Sequence, residues 1–383
     1  MAAAMPHDSA LPAWPLLLRA AGGRAALRRL VEVHGDAEAA VAAGPRAWRA
    51  AGLDEDAVAR LRAPDPDRLA RDRDWLAQPG HHLIGWDSPD YPALLRRIPS
   101  PPPALWVVGD PDWLWHPQVA IVGSRSPTAT GADNAHAFAR AFAQAGLTVA
   151  SGLARGIDAA AHLGALAGGG ATVAVMGTGP DQVYPGAHRE LAARIAAHGC
   201  LVSEHPPGTG PRREHFPSRN RIVAGLALGV LVVEAATRSG ALITARLAGE
   251  AGREVFAVPG SIHNPLARGC HALIRQGAAL VEEAGEVVQA LAPVAAELAE
   301  ALRGRLSAAA AAPTFTAQTS AAVKLPADPD YQRLWDALGH DPAGLDELSG
   351  RTGLTVGVLS SMLLLMELEG LVTADHGRYA RRP

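Results

Sequence analysis

Short apolar segments of three to six residues alternate with amphipathic helical segments between about residues 80 and 292. The helical segments read, for example, ADNAHAFARAFAQAG and ALITARLAGEAG. Continuous apolar strands separated by helices are typical of a mostly parallel sheet that is covered on both faces. The pattern therefore predicts an α/β fold with a doubly wound core. The predicted strands are 104–108, 119–123, 147–150, 171–176, 201–203, 230–234, 254–258 and 278–281.

The segments that flank this core have different patterns. Residues 1–75 read as short helices with small-residue turns, which predicts a small helical domain of the SAM or helix-hairpin-helix type. Residues 304–328 are rich in Ala, Thr, Ser and Pro without periodicity, as in a flexible linker. Three helical segments and a hairpin in 329–383 predict a C-terminal winged-helix domain. Three domains suit a length of 383 residues.

The cysteines and the apolar runs indicate the cellular location of the protein. The two cysteines, Cys200 and Cys270, have no second thiol at metal or redox spacing, which predicts buried reduced thiols and a cytoplasmic location. The N-terminus lacks the cationic start of a secretory signal. The longest apolar run, 222–233, is too short to span a bilayer, so we expect no membrane partner.

Residues 211–221 read PRREHFPSRNR, with four arginines around Phe216 and a single acid, in a protein of net charge -3. Arginine at this density favours an anion, and a phenylalanine ring offers a face on which a nucleobase can stack. The alternative is a surface loop whose arginines pair with carboxylates elsewhere while Phe216 anchors the loop to the core. This segment alone does not decide between the two interpretations.

Glycine-bearing turns follow several predicted strands. Gly123, Ser124 and Arg125 follow the strand at 119–123, and Arg155 lies in the next such turn, at SGLARG. Ser239 and Gly240 begin a helix after the strand at 230–234. Backbone N–H groups at such turns and helix N-termini favour phosphates, and the carboxyl ends of parallel strands are where α/β sheets bind ligands. Several turns of this kind on one sheet edge indicate an extended polyanion track.

Catalytic and cofactor motifs are poorly represented. The sequence has no G-x-S-x-G elbow, P-loop or H-E-x-x-H motif, and the turn MGTGPDQVYP departs from the dinucleotide fingerprint. We therefore expect no catalytic residue, metal or cofactor. Glu204 and Glu234 are the only carboxylates at strand ends that could act as acids or bases, and we expect both to pair with arginines.

The charge of the winged-helix segment does not favour DNA binding. Its expected recognition helix, 355–368, has no arginine or lysine, and residues 331–383 contain five arginines against seven acids. Because cations supply most of the affinity for DNA, we expect the winged helix to contact protein.

The motifs VAIVGSR, SGLARGIDAAAH, HFPSRNRIVAGL and RSGALITA together resemble the DNA-processing protein A (DprA/Smf) family. The resemblance is dense over residues 80–292 and extends to the order of the three domains. It implies an extended Rossmann-like core that binds single-stranded DNA without sequence preference and forms homodimers. It also implies a non-enzymatic recombination mediator that protects incoming DNA and loads RecA recombinase during natural transformation.

The resemblance also suggests which residues contact DNA. Ser124 and Arg125 match a phosphate pocket after the first core strand, and Arg155 occupies a position where the family has a lysine or arginine. The remaining matches lie in the strand-binding loop or agree by motif alone. The candidate DNA-binding residues are Gly123, Ser124, Arg125, Arg155, Arg213, Phe216, Arg219, Asn220, Arg221, Ser239 and Gly240.

Two other functions remain as alternatives. Rossmann-like hydrolases that process nucleotides use a GGxGTxxE-type turn, whereas the turn here reads ATRSGALITA and has no carboxylate in that register. A winged-helix transcription regulator with a ligand-sensing core is disfavoured by the acidic C-terminal segment. An assay of nucleotide hydrolysis and a comparison of single-stranded with duplex DNA separate these alternatives from a single-strand binder.

Overall fold

The computed structural model describes residues 13–311, 329–338 and 343–356, and beyond them 358–359, 362–363, 366, 372–375 and 378–381. The chain divides into two compact units, Met1–Ala310 and Ala311–Pro383. No helix among these residues is long and apolar enough to cross a bilayer.

Residues 13–76 form six short helices in the N-terminal part of the first unit. They surround an apolar cluster that includes the fully buried side chains of Leu17 and Leu30. Asp54 accepts a hydrogen bond from the backbone N–H of Ala57 at 2.7 Å and so begins the fifth helix. The helices are α1 (Ala13–Ala20), α2 (Arg24–His34), α3 (Ala37–Ala42), α4 (Gly44–Ala50), α5 (Glu55–Arg62) and α6 (Pro66–Leu76).

A nine-stranded sheet follows, which confirms the predicted doubly wound α/β core. The strands are β1 (His81–Gly85), β2 (Ala104–Gly109), β3 (Gln118–Val122), β4 (Thr148–Ser151), β5 (Thr172–Val175), β6 (Cys200–Ser203), β7 (Gly229–Val232), β8 (Glu254–Ala257) and β9 (Ala279–Leu280). Their order in space is β1-β2-β6-β5-β4-β3-β7-β8-β9. β2 pairs antiparallel with β1 and β6, and every other pair is parallel.

Helices cover both faces of this sheet. In β3, Val119 and Ile121 pack against one helical layer, while Ala120 and Val122 pack against the other, so apolar side chains point to both faces of the sheet. The helices are α7 (Ala93–Arg96), α8 (Ala129–Gln144), α9 (Ile157–Ala167), α10 (Arg189–His198), α11 (His215–Leu226), α12 (Gly240–Glu250), α13 (Arg268–Arg275) and α14 (Ala284–Ala311). α8, α9 and α14 contribute to the first layer, α7, α11, α12 and α13 contribute to the second, and α10 packs against β6.

The structure differs from the sequence interpretation at three places. β1 was not predicted, and it pairs with β2 along all five of its residues. The arginine-rich segment is not a loop throughout, because α11 begins at His215. Pro217 lies in the first turn of α11, where a missing N–H leaves no helical hydrogen bond unmade. α14 continues to Ala311, so the first residues of the expected linker are helical, and 312–328 lie outside the described residues.

The second unit contains elements of the expected winged helix. These are α15 (Pro329–Ala337), α16 (Leu345–Thr352) and a small antiparallel sheet of β10 (Ala343–Gly344), β11 (Val372–Asp375) and β12 (Arg378–Arg381). Leu334, Leu348 and Leu363 are buried together in its core. Much of the expected recognition helix, 355–368, lies outside the described residues.

Candidate functional site

Two adjoining cavities open at the carboxyl ends of the parallel strands. Because β3 has β4 on one side and β7 on the other, these ends form the topological switch point at which such sheets bind ligands. The cavities measure about 450 and 640 Å³. They share Arg125, Gly152, Ala154 and Arg219, so they form one continuous depression, which we call the groove.

The first cavity is built from the turn after β3 and the start of α12. Ser124 and Arg125 line it on one side, and Arg238, Ser239 and Gly240 line it on the other. The hydroxyl of Ser239 caps α12 and accepts the N–H of Ala241 at 3.3 Å. The first N–H groups of an eleven-residue helix and the guanidinium groups of two exposed arginines therefore face one space. This arrangement suits a phosphate.

Gly123 allows this turn to lie close to its neighbours. A Cβ at this position would lie 2.6 Å from Cγ1 of Ile157 and 2.9 Å from the carbonyl oxygen of Glu234, so a side chain would force the turn outward. The backbone N–H of Ser124 donates to the carbonyl of Glu234 at 2.7 Å. Gly123 thus allows the turn to pack closely, and the residues that follow it provide the groups that face the cavity.

The prediction that Glu234 pairs with an arginine is wrong. Its carboxylate accepts hydrogen bonds from the backbone N–H of Thr128 at 2.9 Å, the hydroxyl of Thr128 at 2.7 Å and the side-chain amide of Asn264 at 3.2 Å. The carboxylate holds the start of α8 against the end of β7, and neutral donors satisfy it without a cation. Glu204 does pair with arginines, namely Arg24 and Arg221.

Arg219 lies between the two cavities and is 4% exposed. Its Nη1 donates to the carbonyl oxygens of Gly152 and Val175, and its Nε donates to the side-chain oxygen of Asn220 at 3.1 Å. Burial lowers the pKa of Arg219 to about 10, and the nearby carboxyl of Asp158 opposes this shift. Burial also raises the pKa of Asp158, which accepts the N–H of Ala154 at 3.2 Å. Arg219 therefore acts as a buried cation that joins α11 to the ends of β4 and β5.

The second cavity combines aromatic rings with cations. Phe216 lines it beside Tyr184, with the two ring centroids 5.3 Å apart and the rings inclined by 50°. Arg155 and Arg213, both exposed, line the same cavity, as does Arg125. Aromatic faces next to exposed guanidinium groups can stack a base and contact the phosphate that follows it.

α11 presents two different faces. Phe216, Arg219 and Asn220 recur at three- and four-residue spacing and line the groove. Asn220 also donates to the carbonyl of Gly240 at 3.3 Å, which connects α11 to the start of α12. Arg221 was assigned to the strand-binding loop, but it lines neither cavity. Its side chain is 11% exposed and donates to Glu204 on the opposite face of the helix.

The structure thus brings together ten of the eleven candidates, all except Arg221, at or beside the groove. Sequence reasoning did not select Tyr184 or Arg238. The signals were present, because Tyr184 precedes a proline in the turn after β5 and Arg238 precedes Ser239 at the start of α12. Among the residues that the structure describes, no group of three His, Cys, Asp or Glu side chains could hold a metal ion.

Comparisons with known proteins agree with this architecture. The family model described as DNA recombination-mediator protein A matches residues 82–292, and that of the DprA winged helix domain matches residues 317–378. Protein Smf of Escherichia coli (strain K12) is 42% identical over 308 residues, which are 80% of this chain and 79% of that protein. DNA processing protein DprA of Streptococcus pneumoniae is 47% identical over 198 residues, which are 52% of this chain and 70% of that protein.

Two solved structures are also similar. The X-ray structure of DNA processing protein A from Streptococcus pneumoniae has a TM-score of 0.62 at 36% identity and covers 71% of this chain and 95% of its own. A structure of DNA processing protein A from Helicobacter pylori, which describes its single-stranded DNA binding mode, has a TM-score of 0.51 at 27% identity. It covers 56% of this chain and 96% of its own.

Proposed function

Because this chain belongs to the DNA recombination-mediator protein A family, we propose that its groove binds single-stranded DNA and that the protein acts as a recombination mediator. The observation that carries the proposal is the combination of exposed arginines with the Tyr184–Phe216 pair at the switch point of the sheet. The related protein from Helicobacter pylori binds single-stranded DNA.

The two cavities suit different parts of a single-stranded DNA. The first cavity takes a phosphate, which the start of α12, Ser124 and the guanidinium groups of Arg125 and Arg238 would hold. The second cavity takes a base, which stacks on Phe216 or Tyr184. Arg155 and Arg213 hold the adjoining backbone.

This mode of binding favours single strands and tolerates any sequence. A ring can stack only on a base whose face is free, and the bases of a duplex cover each other. Every base has such a face, so stacking carries little sequence information. The carboxamide of Asn220, which could read a base edge, is engaged with Arg219 and Gly240.

We propose that this groove has no enzymatic activity and binds no cofactor. The carboxylates of Glu204 and Glu234 accept hydrogen bonds that hold elements of the fold together. Asp158 is buried beside Arg219. These contacts support a binding function for the groove, because they give Glu204, Glu234 and Asp158 structural roles.

The mediator role includes partners that we also propose. Two copies would associate through the Rossmann-like domain, 80–292, where β9 forms an edge of the sheet and Leu280 is 47% exposed. The dimer would protect incoming DNA in the cytoplasm and load RecA recombinase onto it during natural transformation. The acidic winged-helix domain, 329–383, would contact protein, and the helical domain, 1–75, would support the core. Light scattering tests the dimer, and the rate of RecA filament formation on coated single strands tests the loading.

The decisive experiment is a fluorescence-anisotropy titration with single-stranded and double-stranded oligonucleotides at several salt concentrations. We expect tighter binding to the single strand and an affinity that falls linearly with salt on logarithmic axes. Equal or tighter binding to the duplex, or no binding to either, would contradict the proposal. Incubation with nucleoside monophosphates tests the hydrolase alternative, for which release of the free base is the supporting result.

A further inference from the structure

Arg24, the first residue of α2, reaches from the N-terminal helices to the helix that carries the groove residues. Its Nε and Nη2 donate to the two carboxylate oxygens of Glu204 at 2.8 and 3.1 Å, and Nη2 also donates to the hydroxyl of Ser218 at 2.9 Å. Glu204 follows β6 directly, and Ser218 lies in the first half of α11. One guanidinium group therefore connects α2, the sheet and α11.

These contacts lie behind the groove. Ser218 and Arg221 share the face of α11 that looks away from both cavities, while Phe216 and Arg219 face them. Arg24 itself lines neither cavity. A contact effect of Arg24 on a strand in the groove would therefore act through the position of α11.

The carboxylate of Glu204 links Arg24 to Arg221. Glu204 has a side chain that is 3% exposed, and it receives hydrogen bonds from both Arg24 and Arg221. The Nε and Nη1 atoms of Arg221 are buried and have no hydrogen-bond partner among the described residues. Arg221 is thus held through Glu204, so the orientation of that carboxylate contributes to the position of this face of α11.

Arg24 is the replaceable member of this group. Its side chain is 40% exposed, whereas those of Arg221 and Glu204 are 11% and 3% exposed. If Arg24 is removed, Glu204 and Arg221 still form a neutral pair, so no buried charge is left without its counterion. Loss of Arg24 would release the start of α11 and leave the fold in place.

We propose that Arg24 is a positioning residue for DNA binding: the Arg24–Glu204–Ser218 contacts fix the N-terminal half of α11, and with it Phe216 and Arg219. The inference rests on the proposed function, because it concerns the same groove. It assigns to the N-terminal helices a role in setting the geometry of a site to which they contribute no lining residue.

The test compares Arg24→Met with Arg28→Met in the full-length protein. Arg28 is on the same helix and contacts the core domain through the carbonyl of Pro101 at 2.5 Å and the ring of Trp86, but it does not contact α11. We expect Arg24→Met to weaken binding of a fluorescent single-stranded oligonucleotide by about three- to tenfold, which lies within the range of indirect coupling between residues. The slope of affinity against salt should stay unchanged, because no phosphate contact is lost. Arg28→Met should bind as the wild type does.

Amide hydrogen exchange provides an independent readout. Exchange over residues 215–221 should be faster in Arg24→Met than in Arg28→Met, and Arg24→Lys should restore part of the affinity through its charge. Unchanged affinity in Arg24→Met, equal losses in both variants, or a salt slope lower by about one unit would overturn the inference. Failure of the wild-type protein to bind single-stranded DNA would instead contradict the proposed function. Should Arg24→Met not fold, the comparison of Arg24→Lys with Arg28→Lys provides the same test.

Discussion

The ring of Tyr184 lies 5.3 Å from the ring of Phe216, centroid to centroid, and is inclined to it by 50°. Tyr184 comes from the turn after β5 and Phe216 from the first turn of α11, so two distant parts of the chain form one aromatic wall. Tyr184 is 51% exposed, although an aromatic ring of this size is usually covered. The exposed ring of Tyr184 lies beside the arginines that line the same cavity and is therefore suited to stacking a base.

We expect Phe216→Ala to weaken single-strand binding by about 1–3 kcal/mol, because a base loses its stacking partner. Tyr184→Ala should have an effect of the same sign. The salt dependence should be unaffected in both, since neither ring neutralises a phosphate. Anisotropy titrations at two salt concentrations measure both quantities, with Trp113→Ala as the control, because Trp113 lines neither cavity of the groove. An unchanged affinity in the Phe216/Tyr184 double variant would contradict base stacking at this wall.

We expect Arg125→Ala to reduce the slope of logarithmic affinity against logarithmic salt concentration by about one unit, because one phosphate contact is removed. Arg194, an exposed arginine of α10 that lines neither cavity of the groove, provides the matched control. Arg194→Ala should bind with the slope of the wild type. If both variants lost the same slope, the attraction would come from the net field of the protein and no specific contact would be indicated.

Arg219→Met should reduce both stability and DNA binding, in contrast to Arg125→Ala. The guanidinium of Arg219 donates to the carbonyls of Gly152 and Val175, and loss of such charged hydrogen bonds costs about 1.5–3 kcal/mol each. Urea unfolding and anisotropy on the same samples measure the two effects. A variant that binds DNA weakly at wild-type stability would show that Arg219 acts as a DNA ligand and has no part in holding the strand ends together.

The pH dependence of stability should reflect His205, whose ring stacks on His215 at 3.8 Å. Burial lowers the pKa of His205 from 6.5 to about 4. Between these values the unfolded chain binds a proton that the folded protein does not, so the free energy of unfolding falls as the pH falls from 6.5 to 4.

The variant His205→Leu should lose less stability than the wild type over this range. Burial also lowers the pKa of His162, to about 3, so part of the pH dependence remains in the variant. Urea unfolding at pH 7.5, 6 and 5 measures the difference, with His198→Leu on the surface of α10 as the control. Parallel pH profiles of His205→Leu and wild type would contradict the assignment.

Much of the fold follows from local pattern. The strands β2 to β9 were predicted because each is mostly apolar, and most of them are buried, as expected for a sheet covered on both faces. β1 was missed because its sequence, HHLIG, is half polar and lies at the sheet edge, where one side remains accessible. The start of α11 was missed because Pro217 reads as a helix breaker, although a proline is tolerated in the first turn.

The sequence by itself determined which residue types are present for binding: glycine-bearing turns after parallel strands, and a short segment with four arginines around a phenylalanine. The tertiary structure decided which of them face the same space. Arg219 and Arg221 are two positions apart on α11, and helical geometry turns one toward the groove and the other toward Glu204. Tyr184 meets Phe216, and Arg24 meets Ser218, across 32 and 194 positions of the chain. Contacts at such separations depend on how the helices and strands pack, which local residue patterns do not specify.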